Sequence, residues 1–220
     1  MLTVHHLNNS RSQRILWLLE ELGVDYQLEK YQRDPTTNLA PKELRAVHPL
    51  GRSPVLTTGT GTLAESGAIV EYLINQHGQG TFTVPAEPGQ FQNYLFWLHF
   101  AEGSLMPPLV ATLVLNKAKE KSPKLIAPLT RKITQGIMDA YYGPNLEQSV
   151  RYVESYLASH DWFAGNGPSG ADVQMIFPLE ALMSRGGGNK YAAISAYVKR
   201  VQQRPAYQRA LEKGGEYAYA

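Results

Sequence analysis

The stretch LTVHHLNNSRSQRILWLLEELGVDYQL, residues 2–28, predicts a strand, a helix and a second strand in immediate succession. Leu2–Val4 has strand character, and Asn8–Ser10 supplies turn and cap residues. The helix is predicted by apolar residues that recur at i, i+3, i+4 and i+7: Ile15, Leu18, Leu19 and Leu22. Gly23 follows the last of these, where helices commonly end in a left-handed residue. Apolar residues alternate with polar ones in the second strand: Val24, Tyr26 and Leu28.

The remainder of residues 1–80 extends this pattern to a complete α/β domain. Two short strands, Pro54–Leu56 and Thr62–Ala64, flank a glycine-rich turn, and Ser66 begins the helix that follows. With a short helix before them, the order β-α-β-α-β-β-α predicts a mixed four-stranded sheet covered by helices.

Beyond a proline-rich linker at residues 81–89, strand patterns disappear. Residues 90–220 are predicted to form an all-α domain. Its helices are expected at about 90–116, 123–142, 145–160, 169–184, 190–203 and 205–213.

Composition excludes several classes of chemistry. The 220 residues include no cysteine, which excludes a disulfide framework, a thiolate zinc site and a cysteine nucleophile. The net charge of +2 is too small to predict nucleic-acid binding, and the scattered histidines predict no metal site. The uncharged apolar stretch Gly103–Asn116 is too short to span a bilayer, and no signal peptide is apparent. We therefore expect a cytoplasmic protein that binds neither membrane nor nucleic acid.

Three local features could carry chemistry. The first is Ser10, or Ser12, at the start of the first helix, where backbone N–H groups favour an anion such as a ligand thiolate. The second is Ser53-Pro54, where a proline opening a strand is a candidate for a cis bond that exposes the preceding main chain. The third is Glu65-Ser66, which together would suit the ammonium and carboxylate of an α-amino acid.

Each feature also has an ordinary structural interpretation. Ser10 or Ser12 could be a helix cap only, and caps are the more frequent case. Pro54 could simply begin a strand, and Ser66 could cap a helix beside a solvated Glu65.

In their order and spacing, these features resemble the cytosolic glutathione transferases over the whole chain. The segment PLGRSPVL at residues 49–56 resembles the family's stretch that leads to a cis-proline, and Glu65-Ser66 stands at its glutamate–serine position. Ser169-Gly170-Ala171-Asp172 resembles the family's capping box in the second domain. LNNSRSQR at 7–14 and HFAEGSLMPP at 99–108 are similar to a bacterial and fungal branch of the family.

The resemblance implies a thioredoxin-like N-terminal domain that binds glutathione as co-substrate, without a further cofactor. Ser53 would bind the cysteinyl backbone through its main chain beside a cis Pro54, and Glu65 and Ser66 would hold the γ-glutamyl end. Arg52 stands near the position of the glycyl carboxylate. Ser10 would donate a hydrogen bond to the sulfur, with Ser12 and then Asn9 as alternatives.

An electrophile pocket is expected between the domains, walled by side chains of the first long helix of the second domain: Phe96, Phe100, Leu105 and Met106. The resemblance also implies a homodimer and a role in detoxification. The predicted activity is conjugation of the glutathione thiolate to small hydrophobic electrophiles. Two alternatives stay open, a glutathione-dependent peroxidase acting on organic hydroperoxides and a non-catalytic binding or regulatory protein.

Overall fold

In a computed structural model of the chain, the structure describes residues 1–184, 186 and 190–220. The first part contains four strands and three helices: β1 Leu2–Leu7, α1 Ser12–Leu22, β2 Tyr26–Tyr31, α2 Glu43–Val47, β3 Val55–Thr57, β4 Thr62–Ala64 and α3 Ser66–His77. The strands form one sheet in the order β2-β1-β3-β4, in which β1 pairs parallel to β2 and antiparallel to β3. The predicted mixed four-stranded sheet is confirmed.

The first β-α-β unit forms because its local signals agree. Leu2 and Val4 of β1 lie in register with Tyr26 and Leu28 of β2. The apolar stripe of α1 is buried in the core between the two parts of the molecule. Gly23 ends the helix at φ +62°, the left-handed conformation that glycine adopts without steric cost, and its N–H bonds to the Leu19 carbonyl.

Among the residues that the structure describes, the second part contains helices and connecting loops but no strand. Its helices are α4 Pro88–Phe100, α5 Met106–Glu120, α6 Ala127–Ile137, α7 Gly143–Leu157, α8 Gly170–Met183, α9 Ala192–Gln202 and α10 Pro205–Gly214. α8 is buried over nearly its whole length and packs against α1, α3 and α4. The predicted capping box at its start is confirmed, since Ser169 N–H and the Ser169 hydroxyl both donate to Asp172 Oδ2, at 2.8 and 2.9 Å.

One predicted helix boundary is wrong. α6 and α7 form one continuous rod, joined by a π-helical turn over Met138–Tyr142, where the sequence pattern predicted a break near 143–144. α4 and α5 are also joined by a π-helical turn, over Ala101–Leu105, so the single helix predicted at about 90–116 is confirmed as one continuous rod. In both rods a proline follows the π-helical turn within two residues. Proline has no N–H to donate, but the hydrogen-bonding pattern already changes at this position, so the helix continues without a break.

The rod Pro88–Glu120 is 33 residues long and, among the described helices, the one that could cross a membrane by length and composition. The sequence prediction considered only the uncharged segment 103–116, which the structure extends at both ends. Core helices of water-soluble proteins pass the same test, and this rod packs Tyr94, Trp97 and Leu98 into the core. Length and composition are therefore weak evidence for a membrane span here.

Candidate functional site

A cavity of about 300 Å³ lies where β3 and α3 begin and faces the α4–α5 rod. Five of the predicted glutathione-binding residues line it together, namely Arg52, Ser53, Pro54, Glu65 and Ser66. The remaining lining residues are Arg11, Leu50, Ala64, Glu102 and Val110. The cavity therefore combines charged side chains of both signs with a small apolar surface.

Ser53 presents its main chain to this cavity because its side chain is committed to β1. The Ser53 hydroxyl donates to the His5 carbonyl at 2.9 Å and accepts from the Leu7 N–H at 3.1 Å. The Ser53–Pro54 peptide bond is cis, as predicted. Within the described residues, the main-chain N–H and carbonyl of Ser53 have no hydrogen-bond partner, so both are free for a peptide ligand.

Glu65 and Ser66 form the second binding element, at the N-terminus of α3. Glu65 has φ +71°, a conformation that costs a non-glycine residue about 1–3 kcal/mol and that concentrates at functional sites. Ser66 is buried and is the first residue of α3, beside N–H groups that have no partner inside the helix. Glu65 and Arg52 are exposed and form no ion pair with any described residue. Each charge is therefore available to a ligand.

Arg14 links this element to the second domain. Its guanidinium is fully buried and donates to the Ser66 hydroxyl, to the Gln174 carbonyl at 2.6 Å and to Glu102 at 2.5 Å. Arg11 also donates to Glu102, at 2.8 and 2.9 Å. Burial alone would raise the pKa of Glu102, but the two arginines outweigh burial and hold that pKa below its ordinary value. Glu102 is therefore a carboxylate that pairs with two cations at the cavity wall.

Of the three candidates for the sulfur contact, Asn9 and Ser10 lie in the turn before α1 and Ser12 is the first residue of α1, and none of them lines this cavity. Ser12 is fully buried, whereas Ser10 is 5% exposed and is the more accessible serine. The Ser10 oxygen accepts the Ser12 N–H at 3.2 Å, so Ser10 also performs the capping role considered for it. The Asn9 side-chain oxygen is occupied by the Ala218 N–H at 2.7 Å. Of the two serines, Ser10 is therefore the better able to meet a ligand, while the half-buried Asn9 keeps its amide N–H group free among the described residues.

The residues expected to wall an electrophile pocket do not lie together on an open surface. Leu105 and Met106 are buried in the core, while Phe96 is 45% exposed and stacks on Phe100. None of the four lines the cavity described above. The π-helical turn over Ala101–Leu105 changes the helical phase only for the residues that follow it, such as Met106, because Phe96 and Phe100 precede it. From this rod, Val110 and Glu102 face the cavity instead.

Sequence reasoning also missed Arg11, Leu50, Glu102 and Val110. One signal could have identified Glu102, which is the only aspartate, glutamate, lysine or arginine between Phe91 and Asn116. A single charge in such an apolar segment is expected to have a partner. Among the described residues, no group of three or more histidine, aspartate or glutamate side chains could hold a metal ion.

Comparisons with known proteins match the whole chain. Residues 1–75 match the family model "Glutathione S-transferase, N-terminal domain", and residues 138–205 match "Glutathione S-transferase, C-terminal domain". Glutathione S-transferase 3 of Schizosaccharomyces pombe is 35% identical, over 97% of this chain and 88% of its own. Glutathione S-transferase 1 of Saccharomyces cerevisiae is 34% identical, over 97% of this chain and 95% of its own.

Solved structures also match this chain over nearly its full length. A glutathione S-transferase from Actinobacillus pleuropneumoniae superposes with a TM-score of 0.81 and 32% identity, covering 99% of this chain and 94% of its own. A sphingomonad glutathione S-transferase, solved in complex with glutathione, superposes with a TM-score of 0.73 and 25% identity, covering 97% of this chain and 98% of its own.

Proposed function

The chain belongs to the glutathione S-transferase family, and from that premise we propose that it conjugates the glutathione thiolate to small apolar electrophiles. The observation that carries the proposal is one cavity that joins an unpaired cation, an unpaired carboxylate and a free main-chain segment. These three elements match the carboxylates, the ammonium and the peptide backbone of a short zwitterionic peptide.

In the proposed complex the γ-glutamyl end of glutathione lies at α3. Its ammonium pairs with Glu65, and its carboxylate accepts hydrogen bonds from the Ser66 hydroxyl and the helix N-terminus. The cysteinyl backbone pairs with the free main chain of Ser53, and the glycyl carboxylate binds Arg52. The contacts to the two charged ends of glutathione and to its peptide backbone together fix the position of its sulfur.

Ser10 is the proposed catalytic residue, with its hydroxyl donating a hydrogen bond to the sulfur. This bond and the positive end of α1 lower the thiol pKa, and each unit is worth about 1.4 kcal/mol. The thiolate then attacks the electrophilic carbon, a carbon–sulfur bond forms, and the leaving group departs with its electron pair. Most of the remaining rate gain comes from holding the two reactants together. Val110, on the cavity wall, is the proposed contact for the apolar reactant.

We also propose that the protein is a cytoplasmic homodimer with a role in detoxification. The support for a dimer is a row of apolar side chains, 37 to 64% exposed, on the outer faces of α4 and of the α6–α7 rod: Phe91, Leu95, Phe96, Ile133, Ile137, Tyr141 and Tyr152. The Phe96 and Tyr152 rings are in contact, which joins the two helical faces into one patch. α6 turns its small and polar residues Thr130 and Thr134 inward, so its apolar face is left for a partner.

The test is a pair of assays on the purified protein with glutathione, one with an aromatic halide and one with cumene hydroperoxide. Conjugation of the halide supports the proposal. Turnover of the hydroperoxide alone would instead identify a peroxidase that uses the same thiolate. Tight glutathione binding without turnover of either substrate would identify a non-catalytic binding protein.

A further inference from the structure

A buried histidine that the proposed reaction does not use lies behind the two serines. His6 is on β1 and is 3% exposed, and its Nδ1 lies 2.8 Å from the Ser12 oxygen. The Ser12 oxygen in turn lies 2.8 Å from the Ser10 oxygen. The three side chains therefore form one continuous hydrogen-bonded chain that ends at the proposed sulfur contact.

The direction of this chain decides what Ser10 can do. A serine hydroxyl has one proton to donate and two lone pairs to accept with. If His6 Nδ1 accepts, Ser12 donates to it and Ser10 donates to Ser12, so the Ser10 proton is used inside the protein. If His6 Nδ1–H donates, the Ser12 hydroxyl can donate to Ser10, whose oxygen at 2.8 Å is closer than its other acceptor, the Leu7 carbonyl at 3.3 Å, and the Ser10 proton is then left for the ligand. Ser10 then accepts from both the hydroxyl and the N–H of Ser12, which fills its two lone pairs.

We propose that His6, with its proton on Nδ1, acts through Ser12 as a positioning residue that keeps the Ser10 hydroxyl pointed as a donor at the glutathione sulfur. This inference rests on the proposed function, because it assigns a role only if Ser10 meets the sulfur. It adds a buried relay of two residues, neither of which lines the glutathione cavity.

Two features of the surroundings favour this direction. Burial, assisted by Lys30, lowers the pKa of His6 to about 4, so at neutral pH the imidazole is uncharged and only one ring nitrogen carries a proton. Among the described residues His6 Nε2 has no hydrogen-bond partner, whereas a proton on Nδ1 has the Ser12 oxygen as acceptor. A bound thiolate favours the same direction of hydrogen bonding. In the opposite direction Ser10 would present an oxygen lone pair to the ligand, and the negatively charged sulfur would repel it.

His5 provides a matched control on the same strand. It is similarly buried, at 8% exposed, but points to the opposite face, where its ring nitrogens bond to Tyr31 and Thr57 at 3.0 and 3.1 Å. It makes no side-chain contact with the serine chain. A His5→Leu variant therefore reproduces the loss of a buried imidazole from β1 without touching the relay.

The test is the pH titration of the ultraviolet absorbance of the glutathione thiolate in the binary complex. His6→Leu is expected to raise the pKa of the bound thiol by about one unit, the size of one hydrogen bond to a charged group, and to lower kcat with little change in KM for glutathione. His6→Asn, whose amide N–H replaces Nδ1–H, is expected to restore most of the wild-type pKa. Ser12→Ala should reproduce His6→Leu, and it provides the test if His6→Leu fails to fold.

The outcomes separate this inference from the proposed function. If Ser10→Ala raises the thiol pKa while His6→Leu and Ser12→Ala leave it at the wild-type value, Ser10 is catalytic and the relay is refuted. If Ser10→Ala leaves the pKa of the bound thiol unchanged, Ser10 is not the sulfur contact, and the role proposed for His6 and Ser12 is refuted as well. If His5→Leu raises the pKa of the bound thiol as much as His6→Leu does, the inference is also refuted, because the effect would then come from disturbing β1 and not from the loss of the relay.

Discussion

Replacing Glu102 by glutamine should destabilise the protein far more than an ordinary surface charge does. The change keeps the size of the side chain but removes the negative charge that neutralises Arg14, whose guanidinium is completely buried. Removing one partner of a fully buried pair costs about 3–5 kcal/mol. The Glu102 side chain is 33% exposed, so water offsets part of this loss, and we expect a decrease of about 2 kcal/mol in the free energy of unfolding.

The assay is urea unfolding followed by tryptophan fluorescence, with thermal unfolding as a second measurement. A loss of about 2 kcal/mol corresponds to about 4–8 °C in Tm for a chain of this size. Glu147→Gln is the matched control, because Glu147 pairs with Arg151 on the surface of α7 with both side chains well exposed. That variant should lose at most about 0.5 kcal/mol. Equal, small losses in the two variants would refute the reasoning about the buried charge.

The pH dependence of this loss has a definite sign. In the folded protein the two arginines hold the pKa of Glu102 below its ordinary value of 4.5, against the opposing effect of burial. The stabilisation is therefore fully present above that ordinary value and is lost as the pH falls through the lower folded pKa. The difference between wild type and Glu102→Gln should be constant near neutral pH and should shrink in acid.

Three further predictions concern ligand binding, assembly and pH. Glu65→Gln should weaken glutathione binding about 10- to 100-fold in calorimetry, whereas Glu71→Gln, exposed on α3 and not part of the lining of the glutathione cavity, should change it less than about twofold; equal effects would contradict the assignment. Ile133→Glu should convert the proposed dimer to monomer in sedimentation velocity, and Glu212→Lys on α10 should not; an unchanged dimer would exclude this patch. Glu180 is buried, which raises its pKa from 4.5 to about 7 despite hydrogen bonds from Tyr207, Tyr217 and Gln202. Its contribution to stability should therefore fall by on the order of 3 kcal/mol as the pH rises from about 4.5 to about 7, and a Glu180→Gln variant with the same pH profile as wild type would refute this.

The sequence predicted most of the first domain because its signals are local. Strand alternation, the stripe on α1 and the glycine at its end each involve residues within one turn or one pleat of each other. Ser53-Pro54 and Glu65-Ser66 were singled out in the same way, since each occupies a turn or helix start, but their assignment to glutathione came from the family resemblance.

Features that depend on distant residues could not be read from the sequence. Arg14 and Glu102 are separated by 88 positions, and only the docking of α1 against the α4–α5 rod brings them together. The burial of Leu105 and Met106 could not be read from the sequence for a different reason. A π-helical turn changes the helical phase, and no residue type before it marks that change.

A crystal structure with glutathione bound tests the central claim most directly. The account predicts that the γ-glutamyl end lies on Glu65 and Ser66, that the cysteinyl backbone pairs with the Ser53 main chain, and that the sulfur lies within hydrogen-bonding distance of the Ser10 oxygen. Glutathione bound elsewhere, or a sulfur that contacts Asn9 or Arg11 instead of Ser10, would contradict it.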